Sequence, residues 1–359
     1  MKKIYLITMV LLIHHVIVAQ TPKFNPNDPA WRLLFEDHFD GNSINESIWL
    51  VANHATHTAQ PQLYTKTNVS VSNGNLVIKV NNDATTCSHT SLVWTGACWY
   101  CEPGVLYNYT SGWIETKPEY SVQFGYIEAR IKFPYRQNYG FFPAFWTSVE
   151  QGDYGGRASE IDICEIFGSR DNPYEIATNA HACYNERDPA NCFQDEAGAG
   201  LLRHTLATPY TEWHTYAVEW DADWIIYFVD GKPIRILGND NIGNSNNHIA
   251  DPVRVILNLA IQKEEDHPFP PTSPRFEEYM YVDYVKVYQL NYGCREVVNE
   301  IDFNTYNYAV KKSISLSGAT TIPQGGNITL KASDFIELKN GFEVPLGTEL
   351  SLEIHSCEY

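Results

Sequence analysis

Glu160, Asp162 and Glu165 stand in the run Ser159-Glu160-Ile161-Asp162-Ile163-Cys164-Glu165-Ile166-Phe167, three acids within six positions of a segment that is otherwise mostly apolar. Carboxylates held this close repel one another, and each one withdrawn from water costs free energy unless it is paired. Chemistry makes use of that situation. One carboxyl group can stay ionised to attack or to stabilise positive charge, while its neighbour keeps a proton for a leaving group. An edge strand with a solvated acidic face is the bland alternative, but natural strands rarely stack like charges on one face without a partner or a function. A metal site is also disfavoured, because the run carries no His and no fourth carboxylate at ligand spacing.

A strand must position these acids. Side chains alternate between its faces, so Glu160 and Asp162 share one face while Ile161, Ile163 and Phe167 take the other. Glu165 is one residue out of phase. A β-bulge, which opposes two residues to one on the partner strand, would return it to the acidic face. Five residues of extended chain span roughly 16 Å, and the bulge with inward-leaning side chains brings the two Glu carboxyl groups to about 5 to 6 Å. That separation suits displacement at an anomeric carbon through a covalent intermediate.

The surrounding chain is built of short runs rich in Val, Ile, Tyr, Phe and Trp, including Asn75 to Val80, Gly125 to Phe133, Glu212 to Asp221, Trp224 to Val229 and Val253 to Leu259. Turn residues separate them, as in Ser72-Asn73-Gly74, Asp171-Asn172-Pro173, Asp230-Gly231 and Gly238-Asn239-Asp240. No segment sustains helical periodicity, so the fold predicted is all-β, a two-sheet antiparallel sandwich. If Asp171-Asn172-Pro173 turns a hairpin, His181 falls opposite Asp162 and can hydrogen-bond it or a sugar hydroxyl.

The 359 residues are 44% apolar, enough for a packed core, and the formal charge of −18 argues against a nucleic-acid partner. Residues 1–19 carry Lys2 and Lys3, an apolar stretch from Ile4 to Val18, and Ala19, the layout of a secretory signal peptide, so the mature chain is expected to start at Gln20 and to be exported. No later stretch is long and apolar enough for a membrane span. The eight cysteines fit an oxidising compartment. Cys294 and Cys357 bracket the last segment, Cys183 and Cys192 flank a short loop, and Cys87, Cys98 and Cys101 crowd one insertion. Cys164 falls on the face opposite the acids, as a small buried hydrophobe. Metal binding by Cys98-Trp99-Tyr100-Cys101 lacks a second pair.

The acidic run and its neighbours resemble glycoside hydrolase family 16, in the bulged subgroup with the pattern Glu-x-Asp-x-x-Glu. Phe35-Glu36-Asp37-His38-Phe39 with Ile48-Trp49, Ser111-Gly112-Trp113-Ile114, Phe124-Gly125-Tyr126-Ile127-Glu128-Ala129-Arg130, Pro143-Ala144-Phe145-Trp146, Glu219-Trp220 and Val282-Asp283-Tyr284-Val285-Lys286-Val287-Tyr288 extend the likeness over about residues 30 to 290. The resemblance implies a jelly-roll sandwich with a concave substrate cleft. It also implies a retaining endo-β-glycosidase that needs no cofactor for catalysis and acts as a secreted monomer on a polysaccharide. Glu160 is then the nucleophile, Glu165 the acid/base and Asp162 the group that tunes the nucleophile, while Trp146, and less directly Trp113, Tyr139 and His181, bind sugar. Trp31, Trp49, Trp213, Trp220 and Trp224 are assigned to the core. A structural calcium ion near Asp283 is a further implication.

Laminarin-type β-1,3-glucan is the substrate expected. Trp113 stands where Arg is usual, and Leu257-Asn258-Leu259-Ala260-Ile261-Gln262 lacks the usual Gly-Gly-x-Trp-Pro, so agar, porphyran, carrageenan and mixed-linkage glucan stay open. A non-catalytic sugar-binding jelly roll and a surface adhesin are readings of another class, and neither gives the acids a purpose. The domain layout expected is a signal peptide over 1–19, a catalytic unit over 20–290, and a small C-terminal β module over 294–359 that binds carbohydrate, directs sorting or acts as a spacer.

Overall fold

The computed structural model describes residues 22–354 apart from 29–30, 58–59, 89–98, 150–157, 184–191, 195–199, 222–223, 240–248, 250, 263–268, 291–296, 304–305 and 307–309. The expected signal segment and Cys98, Cys294 and Cys357 lie outside the described residues. The regular secondary structure of the described chain is almost entirely strand, broken only by three short 3-10 turns, as the alternation in the sequence predicts.

Two sheets pack face to face. In the larger one, Glu277–Leu290 runs between Gly125–Lys132 and Asn75–Asn81, and the sheet continues through His214–Trp220, Trp224–Val229 and Lys232–Gly238. The second sheet carries the acids. Its strands, labelled in chain order, include β1 (Trp113–Thr116), β2 (Phe141–Ser148), β3 (Ala158–Glu165), β4 (Glu175–Cys183) and β5 (Arg254–Ile261), and their spatial order is β4-β3-β2-β5-β1 with antiparallel neighbours throughout. The period of two sends Ile114, Phe145, Ile161, Val255, Leu257 and Leu259 inward, where they meet Ile127, Ile131, Val218, Val282 and Val287 of the larger sheet. Burying each such side chain contributes about 1.5 to 3 kcal/mol. Trp31, Trp49 and Trp220 are buried in this core as expected, and Cys164 is buried there as a free thiol. Trp224 packs half-buried against its margin, whereas Trp213 lies half-buried beneath the guanidinium of Arg130.

Every residue of β5 is buried, including those that point away from the core. Antiparallel sheets commonly leave one face to water. Here a second apolar cluster of Ala55, Tyr64, Trp113, Ala144, Trp146 and Ile256 covers part of that face. Cys87 and Cys101 form a disulfide, which removes Cys101 from any metal pair with Cys98. The register sets Cys183 directly opposite Cys192.

The strands β6 (Val297–Asn299), β7 (Lys311–Leu316), β8 (Asn327–Leu338) and β9 (Glu349–Ile354) form a separate sheet with its own buried cluster, in which Ile314, Leu316, Ile322, Ile328 and Leu330 pack together. All three pairings are parallel. The first half of β8 pairs with β9, placing Asn327 beside Glu349; the second half pairs with β7, placing Ser313 beside Phe335. In both cases the partners lie 22 residues apart along the chain. Across β7, β8 and β9 the chain therefore winds in coils of 22 residues, whereas β6 meets β7 after only 16, Val297 standing beside Ser313. Pro323-Gln324-Gly325 and Pro345-Leu346-Gly347 turn successive coils, each Gly at positive φ, and Thr348 clamps one turn to the other through Gly325 N and Pro323 O.

Candidate active site

The bulge is present in β3. Phe145 faces Cys164 and Trp146 faces Asp162, so Ile163 is the extra residue, and the register with β4 slips at the same place, between Asp162–Asn179 and Glu165–Ala177. Ile163 and Cys164 both bury on the core side. That double occupancy returns Glu165 to the face of Glu160 and Asp162. Trp146 lies directly across from Asp162, and Asn179 and His181 stand opposite Asp162 and Glu160 on β4.

His181 therefore sits two residues from the register expected, opposite Glu160 instead of Asp162. The shift keeps it on the acidic face, and its Nε2 lies 3.1 Å from Asp162 Oδ2 and 3.7 Å from Glu160 Oε1. Asn179 Nδ2 approaches the same ring nitrogen at 2.9 Å, and Asn179 Oδ1 accepts the N–H of Ala180. Burial alone would lower the pKa of His181, but the hydrogen bond with Asp162 and the charges of Asp162 and Glu160 raise it to about 9.

Burial raises Glu160 to about 8; the charge of Asp162 adds to this and the positive charge of His181 opposes it. Glu165 is pushed well above the usual carboxylate range by burial and then by Asp162 and Glu160, with no cation among the described residues to offset them. The two glutamates are thus ordered. Glu165 holds its proton more firmly, and Glu160, next to His181, releases its proton first.

A raised folded-state pKa means that stability is fully present below the unfolded value near 4.5 and is lost as the pH rises through the folded value. Glu165→Gln, which cannot ionise, is therefore expected to melt above the parent at pH 8 by about 2 to 4 °C and to show little advantage at pH 4.5, measured by calorimetry. An equal melting difference at both pH values would refute the shift.

Next to the acids, Trp146 donates from Nε1 to Asn258 Oδ1 at 2.8 Å, Asn258 Nδ2 donates to Tyr64 Oη, and Tyr64 Oη donates to Gln60 Oε1. The ring is fixed in plane and almost covered, with Trp113 edge-on at 5.4 Å and His57 at 6.2 Å. Trp113 belongs to the acid-bearing face but is buried beneath His57, Tyr64 and Trp146, so it underpins that face without being exposed to a sugar. Tyr139 is a correction. It is buried in the main core against Phe141 and Phe276, enclosed by those two rings and the guanidinium of Arg136, and is not exposed to a sugar. Asp283 is another. Its carboxylate pairs with Arg130 at 2.6 Å, and among the described residues no further acid or histidine converges on it, so the side chains there do not fit a calcium site. His57, Asn179 and Asn258 join the site from positions whose spacing in the sequence carries no mark of it.

The model of glycosyl hydrolases family 16 matches residues 56–269. Glucan endo-1,3-beta-glucosidase A1 of Niallia circulans is 29% identical over 287 residues, 74% of this chain, and the match spans only 39% of that relative. Beta-porphyranase B of Zobellia galactanivorans is 28% identical over 247 residues, 64% of this chain and 78% of the relative. The solved laminarinase from Flavobacterium sp. UMI-01 superposes with a TM-score of 0.54 at 26% identity, over 72% of this chain and all of that one. The bulged acidic strand, the sandwich that carries it and the matched span together show that the chain belongs to glycosyl hydrolases family 16.

Proposed function

We propose that the chain is a secreted, retaining endo-β-glycosidase of polysaccharides in which Glu160 attacks the anomeric carbon and Glu165 protonates the departing glycosidic oxygen. The observation that carries this reading is the bulge at Ile163, which turns Glu165 to the side of Glu160. The bond from C1 to the leaving oxygen breaks as the ester to Glu160 forms. With the nucleophile's charge consumed in the ester, Glu165 is left ionised; it takes a proton from water, the oxygen attacks C1, and Glu160 is released. Asp162 and His181 hold the nucleophile between a negative and a positive neighbour. Export rests on Lys2, Lys3 and the apolar stretch that follows; among the described residues no helix is long and apolar enough to cross a membrane.

Laminarin-type β-1,3-glucan is the first substrate proposed, supported by what the glucanase relative and the laminarinase structure are named for. The absence of Gly-Gly-x-Trp-Pro at Leu257–Gln262 favours a second reading, the same chemistry on a galactan such as porphyran. Reducing-sugar release from laminarin, mixed-linkage glucan, agar, porphyran and carrageenan decides between them. No release from any of them would leave only the binding reading.

His181 provides a pH test. Among the described residues its cation is the only neighbour that lowers Glu160, so His181→Gln is expected to move the acidic limb of the kcat/KM profile upward by about one unit, measured in the presence of a chelator. A limb that stays in place would separate His181 from the nucleophile. We further propose that residues after about 291 form an accessory unit. A chain ending at Asn291 is expected to keep its kcat on soluble oligosaccharides; a truncated protein that folds by circular dichroism but is inactive would overturn that division.

A further inference from the structure

The acidic face holds a ligand set that the catalytic reading does not require. Glu160, Asp162 and His181 each offer one donor atom, and the three atoms lie within 4.8 Å of one another. His181 Nε2 stands 3.1 Å from Asp162 Oδ2 and 3.7 Å from Glu160 Oε1. Around a tetrahedral zinc ion with bonds of about 2.0 to 2.2 Å, neighbouring ligand atoms stand roughly 3.4 Å apart. The two measured separations straddle that value. An imidazole with two carboxylates is a donor set for a borderline transition ion, whereas calcium and magnesium seek six or more oxygens.

The surroundings suit an inhibitory ion more than a structural one. Among the described residues three protein ligands converge, which leaves a fourth position for water, and the side chains of His181 and Glu160 are 24% and 32% exposed, so an ion can enter from solvent. Asn179 Nδ2, at 2.9 Å from the ring nitrogen, must turn aside for the metal. Glu165 lies outside the ligand set.

The geometry points to a zinc-binding site formed by Glu160, Asp162 and His181, in which the ion displaces the proton from His181 Nε2, takes the lone pairs of the nucleophile and competes with the polysaccharide. Its binding half stands on these distances alone; its inhibitory half rests on the catalytic role proposed for Glu160.

Zinc chloride titrated into the full, chelator-treated chain by calorimetry tests the first half, with inhibition kinetics on the active polysaccharide for the second. Zinc is expected to bind with one-to-one stoichiometry and to raise KM without lowering kcat. His181→Gln removes a ligand and should weaken binding by at least the roughly 100-fold that loss of an outer-shell partner can cost, while Glu165→Gln, inactive but with the ligand set complete, should bind as tightly as the parent. Cobalt(II) substituted in the parent should show the intense visible bands of a tetrahedral site, and these should vanish in His181→Gln. Binding unchanged in both His181→Gln and Asp162→Asn would place the ion elsewhere and overturn the site. Binding that is lost in His181→Gln, with the parent uninhibited by zinc, would uphold the site and overturn the catalytic role of Glu160.

Discussion

Glu160→Gln is expected to lower kcat by about four orders of magnitude or more on every substrate, because the amide is isosteric but cannot form the glycosyl ester. The loss should not come from misfolding. Glu160 lies on the face directed away from the core, its backbone partners Ser148 and His181 are held by the ladder, and replacing it removes one of three mutually repelling acids. Melting temperature and circular dichroism should therefore be preserved or improved while hydrolysis disappears. Activity within tenfold of the parent, in a well-folded variant, would remove Glu160 from the mechanism and with it the ordering of proton affinities argued for the pair.

Glu165→Ala is expected to fail differently. Turnover of the polysaccharide should fall about 10²- to 10⁴-fold, the scale of one general acid/base. An aryl glycoside with a good leaving group needs no proton, so it should still load Glu160 in a burst, and the ester should then persist because no base activates water. Azide, which needs no base, should restore turnover and leave as a β-glycosyl azide. Proton NMR of the first product of the parent, recorded before mutarotation, should likewise show the β anomer. An α product from either enzyme would mean single displacement across a wider gap, and the bulged pair could not be acting as nucleophile and acid.

The acidic site is legible in the chain because its spacing breaks a rule. Acids at 160, 162 and 165 cannot share a face of a regular strand, so the spacing alone demands a bulge, and the bulge lies at Ile163. The register of His181 is less legible, for a related reason. Counting the hairpin from Asp171-Asn172-Pro173 treats both strands as regular, but the bulge removes one residue from the count, and the short helix Gly168–Arg170, followed by Asp171 in the left-handed region, moves the turn by another. Two such slips preserve parity, so the count finds the right face and the wrong partner.

Burial on the acidic face lies beyond sequence reasoning. Trp113 and Trp146 are covered by Tyr64 and His57, which reach them from a segment roughly 50 residues or more away, and nothing local to a tryptophan reports such a neighbour. Tyr139 misleads for the same reason, since its enclosure depends on Phe276. In the C-terminal segment the alternation of apolar residues marks the strands but not their direction. A signal is there, in the repeated Pro-x-Gly at 323–325 and 345–347 followed by Ile328-Thr329-Leu330 and Leu350-Ser351-Leu352.

The 22-residue step shared by the last two pairings makes this end of the C-terminal sheet grow in quanta. An insertion of any other length within the strands Asn327–Leu338 or Glu349–Ile354 would slide Leu350 and Leu352 off Ile328 and Leu330, whereas a duplicated coil of 22 residues would preserve every neighbour and lengthen the stack by about 4.8 Å. Leu352 and Ile354 in the last coil are 42% and 62% exposed, while Leu330 and Ala332 one coil earlier are fully covered. An added coil would bury the former pair as the present one buries the latter, so stability should rise with each whole unit. Length variation in this segment is thus restricted to whole-coil steps or to the turns.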